Sequence, residues 1–177
     1  LLGPDFASSE NHGEPPKHEV WLKSLDRKAR KSKDRFADHF RTKYPKAHMP
    51  VWIAVELLDF GPLSHLVSGL RNTNLARIGR DYGGIKPPHV KSWARSLAFT
   101  RNVCAHHSRL WNKPLVNQPA LVGSDIPKEL QHIQHTAGAG KRLYSVASVA
   151  QYMLKIANPR TSWRTRFVNH IATFPAS

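Results

Sequence analysis

A run of polar and basic residues near the middle of the chain carries side chains suited to phosphate chemistry. Arg101, Asn102 and His106 lie within six positions of one another. A guanidinium offers a planar fork of hydrogen-bond donors that matches phosphate oxygens, and an imidazole exchanges protons near neutral pH. The set indicates proton transfer beside a phosphate whose negative charge the arginine stabilises. The run continues with three candidate supporting residues, His107, Arg109 and Asn112.

A helix has to position these side chains. Pro87 and Pro88 open a segment in which inward residues alternate three and four positions apart, and we expect this helix to run to Pro114. The pattern predicts one long helix with a continuous buried stripe. That stripe consists of Val90, Trp93, Leu97, Thr100, Cys104, His107 and Trp111.

The helical wheel separates the candidate residues from the stripe. At about 100° per residue, Arg101 falls about 60° from the stripe and Arg109 about 140°. Asn102 lies at about 160° and His106 at about 200°, so the four side chains are expected to share one broad outward face. Asn102 and His106 are one turn apart and close enough to touch.

Other interpretations of the two histidines stay open. His107 lies at the edge of the stripe, which favours a hydrogen-bonded core histidine over a catalytic one, and His106 could be an exposed histidine with no task. Neighbouring helical residues point about 100° apart, so the two rings do not share a metal ion easily. The sequence contains no His-Glu-x-x-His pair, acidic calcium loop or glycine-rich phosphate loop, and we expect neither a metal nor a cofactor.

The whole chain is strongly basic. Its 177 residues include 27 Lys and Arg against 12 Asp and Glu, a formal net charge of +15. Such an excess favours a polyanionic partner, most commonly nucleic acid. A basic protein without such a partner is the alternative, and charge alone does not separate RNA from DNA or from an anionic membrane.

A second basic cluster lies near the N-terminus. After an irregular lead-in over residues 1–16, Pro15 and Pro16 open a helical pattern that we expect to run to Tyr44. One face of it is apolar and the other is basic. A solvated face is the plainer interpretation for any single side chain. As a cluster, the basic face offers candidate phosphate contacts at Lys28, Lys31 and Arg35.

The remaining segments also have helical patterns. The predicted helices cover residues 50–60, 63–70, a piece ending near 82, 127–135, 141–157 and a last one capped by Ser162. Gly61-Pro62 is expected to separate the first two. No run alternates as a β-strand does, and no internal repeat is present. The predicted fold class is all-α, an irregular bundle with residues 17–177 in a single domain.

Cysteine content and apolar runs bear on the compartment. Cys104 is the only cysteine, which rules out an intramolecular disulfide and suits a reducing cytoplasm. The apolar runs are short and the first residues lack a signal-peptide pattern, so we expect neither a membrane span nor secretion. The chain does not begin with Met, and we expect it to be a fragment or a processed product.

Two segments resemble the Abi-like abortive-infection proteins of bacteria. The first comprises residues 49–56 (Met-Pro-Val-Trp-Ile-Ala-Val-Glu) and 60–64 (Phe-Gly-Pro-Leu-Ser). The second is residues 101–112, in which Arg-Asn-x-x-x-His, from Arg101 to His106, is similar to the signature of the HEPN superfamily of helical nucleases. The region 144–163 is also similar, so the resemblance covers about residues 21–171, and the family's usual N-terminal portion is expected to be missing.

The resemblance implies a fold, an activity and partners. HEPN domains are all-α, often form homodimers and commonly cleave single-stranded RNA without a metal ion. Arg101 and His106 are implied to act together, with Asn102 beside the arginine, in a site completed by a second copy. Phage defence and an inhibitory partner protein or RNA are implied as well. We expect Arg109 to add positive potential, and Glu56 either to pair with the Arg101 region or to lie on a solvated face.

The residues and the resemblance together predict a mechanism. The ribose 2′-OH attacks the adjacent phosphate, His106 transfers a proton as general base or general acid, and Arg101 stabilises the phosphorane. Asn102 orients the imidazole or holds a phosphate oxygen. Two alternatives stay open: a basic helical module that binds RNA or a partner without cutting, and a structural dimerisation domain. The binding module predicts salt-sensitive binding without product, and the dimerisation domain predicts weak RNA affinity.

Overall fold

The computed structural model describes residues 3, 15–110, 113–123 and 125–174. Within these ranges the regular secondary structure is helical and no β-strand is present, which confirms the all-α prediction. The described residues divide into two compact units, one within residues 1–75 and one within residues 76–177.

The first unit contains four helices and a 3-10 turn, and the boundary between the units falls within a fifth helix. In chain order these are α1 (Lys17–Lys31), α2 (Arg35–Lys43), α3 (Val51–Ala54), the 3-10 turn Val55–Leu57, α4 (Phe60–Gly69) and α5 (Asn72–Asp81). The second unit continues with α6 (Pro87–Ala105), α7 (Lys128–Gln131), the 3-10 turn Ala139–Lys141, α8 (Leu143–Ala157) and α9 (Trp163–Ala172).

Two predicted boundaries in the first unit are wrong. The long basic helix is divided into α1 and α2 at Ser32, whose Oγ accepts a hydrogen bond from the backbone N–H of Asp34 (3.1 Å). Such local side-chain bonds compete with helical ones. Gly61 and Pro62 do not interrupt a helix but lie in the first turn of α4, where the missing N–H of proline leaves no helical bond unmade.

Side chains join the helices of the first unit through backbone carbonyls. Trp21 of α1 donates from Nε1 to the carbonyl of Pro62 in α4 (3.1 Å). Arg41 of α2 donates to the carbonyls of Ala29 and Ser32 at the end of α1, the latter at 2.8 Å. The last carbonyls of a helix have no helical donor. Arg41 therefore satisfies two of them and fixes α2 against α1.

The core of the second unit centres on Trp93 of α6, which is fully buried. Its ring meets Tyr152 of α8 edge-on, with 5.9 Å between ring centroids. The hydroxyl of Tyr152 donates to the carbonyl of Tyr82 (3.0 Å), and burial raises the pKa of this tyrosine. These contacts tie α6, α8 and the end of α5 into one packed layer.

Two later helices are shorter than predicted. After α7, backbone N–H groups of residues 133–135 reach back three positions rather than four, so the chain continues as turns. The predicted helix over 141–157 begins at Leu143, after the 3-10 turn. Ser162 is the N-cap residue of α9, but Thr161 Oγ1 accepts the hydrogen bond from the first helical N–H (3.3 Å).

Candidate functional site

The helix that carries the Arg-Asn-x-x-x-His motif ends earlier than predicted. Ala105 is the last residue of α6 and His106 is its C-cap. The N–H of Ser108 donates to the carbonyl of Val103 (3.0 Å), and the N–H of His107 reaches the carbonyl three residues back (3.0 Å). This pair of bonds forms a Schellman motif with His107 in the left-handed region, at φ 51°. The chain therefore leaves the helix directly after His106.

The early end of α6 overturns several predicted orientations. Cys104 and His107 are exposed, although the stripe placed both inward, so His107 is not a core histidine. Arg109 lies beyond the helix and has no position on its wheel. Trp111, predicted to end the stripe, and Asn112, predicted as a supporting residue, lie outside the described residues.

Asn102 contacts both residues of the proposed catalytic pair. Arg101 is exposed on the last full turn of α6, and its Nη1 donates to Oδ1 of Asn102 (3.2 Å). The half-buried Asn102 accepts a hydrogen bond at its backbone carbonyl from the N–H of His106 (3.0 Å). The amide side chain thus orients the guanidinium, whereas the bond from His106 is the ordinary bond of the helix backbone and does not involve the imidazole.

Arg101 and His106 are both exposed at the C-terminal end of α6. Five residues of helical rise separate them by about 7.5 Å along the helix axis. The last turn of α6 therefore presents a guanidinium and an imidazole to solvent, about 140° apart around the helix axis. Such a pair can bind an anionic oxygen and exchange a proton, but one helix supplies only one of each group.

Side chains of α6 also hold the segment that follows the motif, residues 115–121, which we term the strap. Ser96 Oγ donates to the carbonyl at position 117 (2.8 Å), and Trp93 Nε1 donates to the carbonyl of Ala120 (2.9 Å). Ser92 Oγ accepts from the N–H of Ala120 (2.7 Å), and the ring of buried His89 lies 3.1 Å from the Ala120 carbonyl. One face of α6 therefore serves to position the strap.

The sequence prediction missed the strap. The sequence feature that could have indicated the strap is a set of small or polar residues, at 89, 92 and 96, at helical spacing around Trp93. Polar side chains on an inward face require hydrogen-bond partners, and the backbone of residues 117–120 supplies them.

An ionic contact follows the strap and joins it to the start of α6. Lys86 Nζ lies 3.1 Å from Oδ2 of Asp125, and Nε2 of His89 lies 3.5 Å from the same oxygen. The hydrogen bond from Lys86 is the largest cause that lowers the pKa of Asp125. The carboxylate therefore loses its charge at a lower pH than an ordinary aspartate does.

The predicted basic contacts of the first unit are only partly brought together. Lys28, Lys31 and Glu56 line one open groove of 590 Å³. Lys28 pairs there with Asp59, so part of its charge is already compensated. Arg35 is the exposed first residue of α2. A contact of Glu56 with the Arg101 region stays a prediction.

Two general properties of the described ranges bear on function. Within them, no three His, Cys, Asp or Glu side chains lie close enough together to hold a metal ion. Of the helices found in the same ranges, none combines the length and the apolar character needed to cross a membrane.

Comparison with known proteins gives one match. A family model described as Abi-like protein matches residues 4–112, which include both sequence blocks that carry the resemblance. No curated protein and no solved structure matches the chain. Because the match ends at residue 112, similarity over residues 144–163 stays a prediction.

Proposed function

The chain belongs to the Abi-like protein family, and on this basis we propose that it is a metal-independent endoribonuclease of the HEPN type. Family membership suggests a role in abortive-infection phage defence. In this proposal the protein acts in the bacterial cytoplasm and cuts single-stranded RNA when infection occurs. The net charge of +15 fits a polyanionic substrate.

One observation carries the proposal: Arg101 and His106 are both exposed at the C-terminal end of α6, and Asn102 accepts a hydrogen bond from the guanidinium. A guanidinium held by a neighbouring amide stabilises negative charge that develops on phosphate oxygens. An exposed imidazole transfers protons to and from the ribose and the leaving oxygen. Neither side chain is buried in the packing of the helix.

The reaction needs no nucleophile other than the RNA itself. The 2′-oxygen attacks the adjacent phosphorus as it loses its proton to a base, and the bond from phosphorus to the 5′-oxygen breaks as that oxygen gains a proton. The products are a 2′,3′-cyclic phosphate and a free 5′-OH. His106 serves one of the two proton transfers, and Arg101 contacts the non-bridging oxygens.

A second copy of the chain completes the site in this proposal. One protomer offers a single imidazole, whereas the reaction uses a base and an acid. A two-fold axis near the end of α6 would bring a second Arg101 and His106 to the same phosphate. Mixing the wild type with an excess of His106→Ala should then lower the activity of each wild-type chain, because a mixed dimer keeps only one of the two imidazoles.

Cleavage of a labelled single-stranded RNA tests the activity. We expect His106→Ala and Arg101→Ala to lower the rate by about 100- to 10,000-fold. His107→Ala, which removes the neighbouring exposed imidazole, is the matched control and should retain activity. An RNA with 2′-deoxyribose at the cut position should resist cleavage. Equal rates for all variants, or full dependence on added magnesium, would refute the mechanism.

The basic character of the chain supports one other function, RNA binding without cleavage. Lys28, Lys31 and Arg35 of the first unit, together with Arg109, would then contact phosphates. This function would be favoured if the wild type binds RNA in a salt-sensitive manner and forms no cleavage product over a long incubation. An inhibitory partner protein or RNA is compatible with either function.

A further inference from the structure

A groove of 690 Å³ lies along α8 and α9 in the second unit, away from the motif in sequence. Tyr152 contributes to its lining from the packed core. Tyr144 and Trp163 supply aromatic surface, and Lys155 and Arg164 supply positive charge. Small-molecule sites commonly have volumes of about 300–1,000 Å³. We refer to this feature as the aromatic groove.

The aromatic rings of the groove are held in place while remaining open to solvent. Trp163 stacks on Phe167, with 5.0 Å between centroids and 11° between planes. Tyr144 is 52% exposed, and its hydroxyl lies 2.8 Å from Nε2 of His132. None of the residues of α9 is fully buried. Rigid, accessible ring faces of this kind are what a planar ligand requires.

The charge around the groove selects an anionic ligand. Glu129, which lines the groove, is the last acidic residue of the sequence, and six Lys or Arg follow it. Two of these six, Lys155 and Arg164, line the groove and are exposed. With two cations and one carboxylate among its charged lining residues, the groove is net positive, which disfavours a second basic copy of this chain. A polyanion with planar groups fits better than self-association.

One polar atom of a residue that lines the groove also lacks a partner. Oε1 of Gln151, a lining residue, is buried and has no hydrogen-bond donor among the described residues. A buried acceptor without a donor is rare in folded proteins. Rotation of the side-chain amide would present this oxygen to a ligand N–H group, which nucleobases carry on their edges.

We propose that the aromatic groove binds an unpaired nucleotide of single-stranded RNA. The base stacks on Tyr144 or Trp163, and Lys155 and Arg164 contact the phosphates. The inference rests on the proposed function in taking RNA as the substrate, and it adds a substrate-binding site remote in sequence from Arg101. Stacking and charge alone would hold most bases, so this site would bind unpaired RNA with little sequence preference.

Binding to a short single-stranded RNA measured by fluorescence anisotropy tests the groove. An RNA with 2′-O-methyl riboses has no free 2′-OH and cannot be cleaved, so binding can be measured with the full wild-type protein. Removal of a stacking ring typically weakens binding by about 5- to 150-fold, and we expect Tyr144→Ala to fall in this range. Tyr144→Phe retains the ring and should bind as the wild type does.

The charge contribution has its own control. Arg164→Ala should weaken binding and lower the slope of log affinity against log salt by about one. Lys141→Ala removes an exposed cation that does not line the groove, and should have a smaller effect. Circular dichroism of each variant verifies that it has folded.

The outcomes separate this proposal from the nuclease. Wild-type RNA affinity for both Tyr144→Ala and Arg164→Ala overturns the groove, even if His106→Ala abolishes cleavage. Weakened RNA binding by the groove variants supports the proposed binding site even if no cleavage is found. In that case only the proposed nuclease activity is refuted. Sedimentation of the wild type and of Tyr144→Ala compares their oligomeric states. If the wild type is a dimer, the variant is a monomer and the RNA affinity is unchanged, the groove is a self-association surface and the proposal is wrong.

Discussion

Replacement of His107 by glycine is expected to stabilise the protein. With φ at 51°, His107 adopts a backbone conformation in which its β-carbon crowds the following carbonyl oxygen. The side chain is exposed, so its removal gives up little packing. Glycine is the usual residue at this position of a Schellman motif because it has no β-carbon. The hydrogen bonds of Ser108 and His107 that end α6 involve backbone atoms only and should persist.

The size of the effect follows from two opposing contributions. The left-handed conformation costs a residue with a β-carbon about 1–2 kcal/mol. Glycine removes this cost but increases the conformational entropy of the unfolded chain, which opposes the gain by about 0.4–1 kcal/mol. We expect His107→Gly to raise the free energy of unfolding by about 0.5–1 kcal/mol. His107→Ala keeps a β-carbon and should change it by less than about 0.5 kcal/mol.

Urea unfolding followed by circular dichroism measures this difference as a shift in midpoint at constant slope. The alanine variant is the control for loss of the imidazole, and RNA cleavage by the glycine variant verifies that the end of α6 is intact. A packed histidine, as the sequence alone predicted, gives the opposite result: both variants would lose stability, by similar amounts. That outcome would refute the Schellman assignment.

Three further substitutions test the second unit. The β-carbon added by Gly79→Ala would overlap the carbonyl oxygen of Ile85, and we expect a loss of about 2–4 kcal/mol, seen as a lower Tm; an unchanged Tm would contradict the close packing. Ser96→Ala removes a buried donor to the strap and should cost about 1 kcal/mol in urea unfolding, whereas no change would mean that the bond contributes nothing. Because Lys86 lowers the pKa of Asp125 below its ordinary 3.8, this carboxylate stabilises the fold above about pH 4, and the contribution is lost as the pH falls through the lowered pKa. Asp125→Asn should therefore reduce the difference in stability between neutral and strongly acidic pH, and an identical pH profile would argue against the contact.

The sequence predicted where helices begin better than where they end. Pro87 opens α6, and Pro16 and Pro50 immediately precede α1 and α3, because proline favours the first helical turn through its own covalent geometry. The end of α6 depends on the conformation of His107, and positive φ is uncommon for residues other than glycine. Apolar spacing continued past this point, so the pattern carried no sign of the break.

The candidate site was predictable in part. The exposure of Arg101 and His106 agrees with the outward face expected from the wheel, although the helix stops at Ala105. The strap and the aromatic groove were not predicted. The strap arises from contacts between segments that are well separated in sequence, and the groove from packing between neighbouring helices. Neither kind of contact leaves a periodic pattern. The polar residues His89, Ser92 and Ser96 were the sign that a backbone segment would pack on α6.

The strap also determines how this region can vary. Helix α6 contacts residues 117–120 chiefly through main-chain carbonyl oxygens, which every amino acid provides. The identity of the residues at 116–118, whose side chains are exposed, is therefore largely free, while the length of the segment is not. A single inserted residue would shift the carbonyls away from their donors on α6. Relatives that share this arrangement should differ in residue type at 116–118 but keep the same number of residues between Leu115 and Leu121.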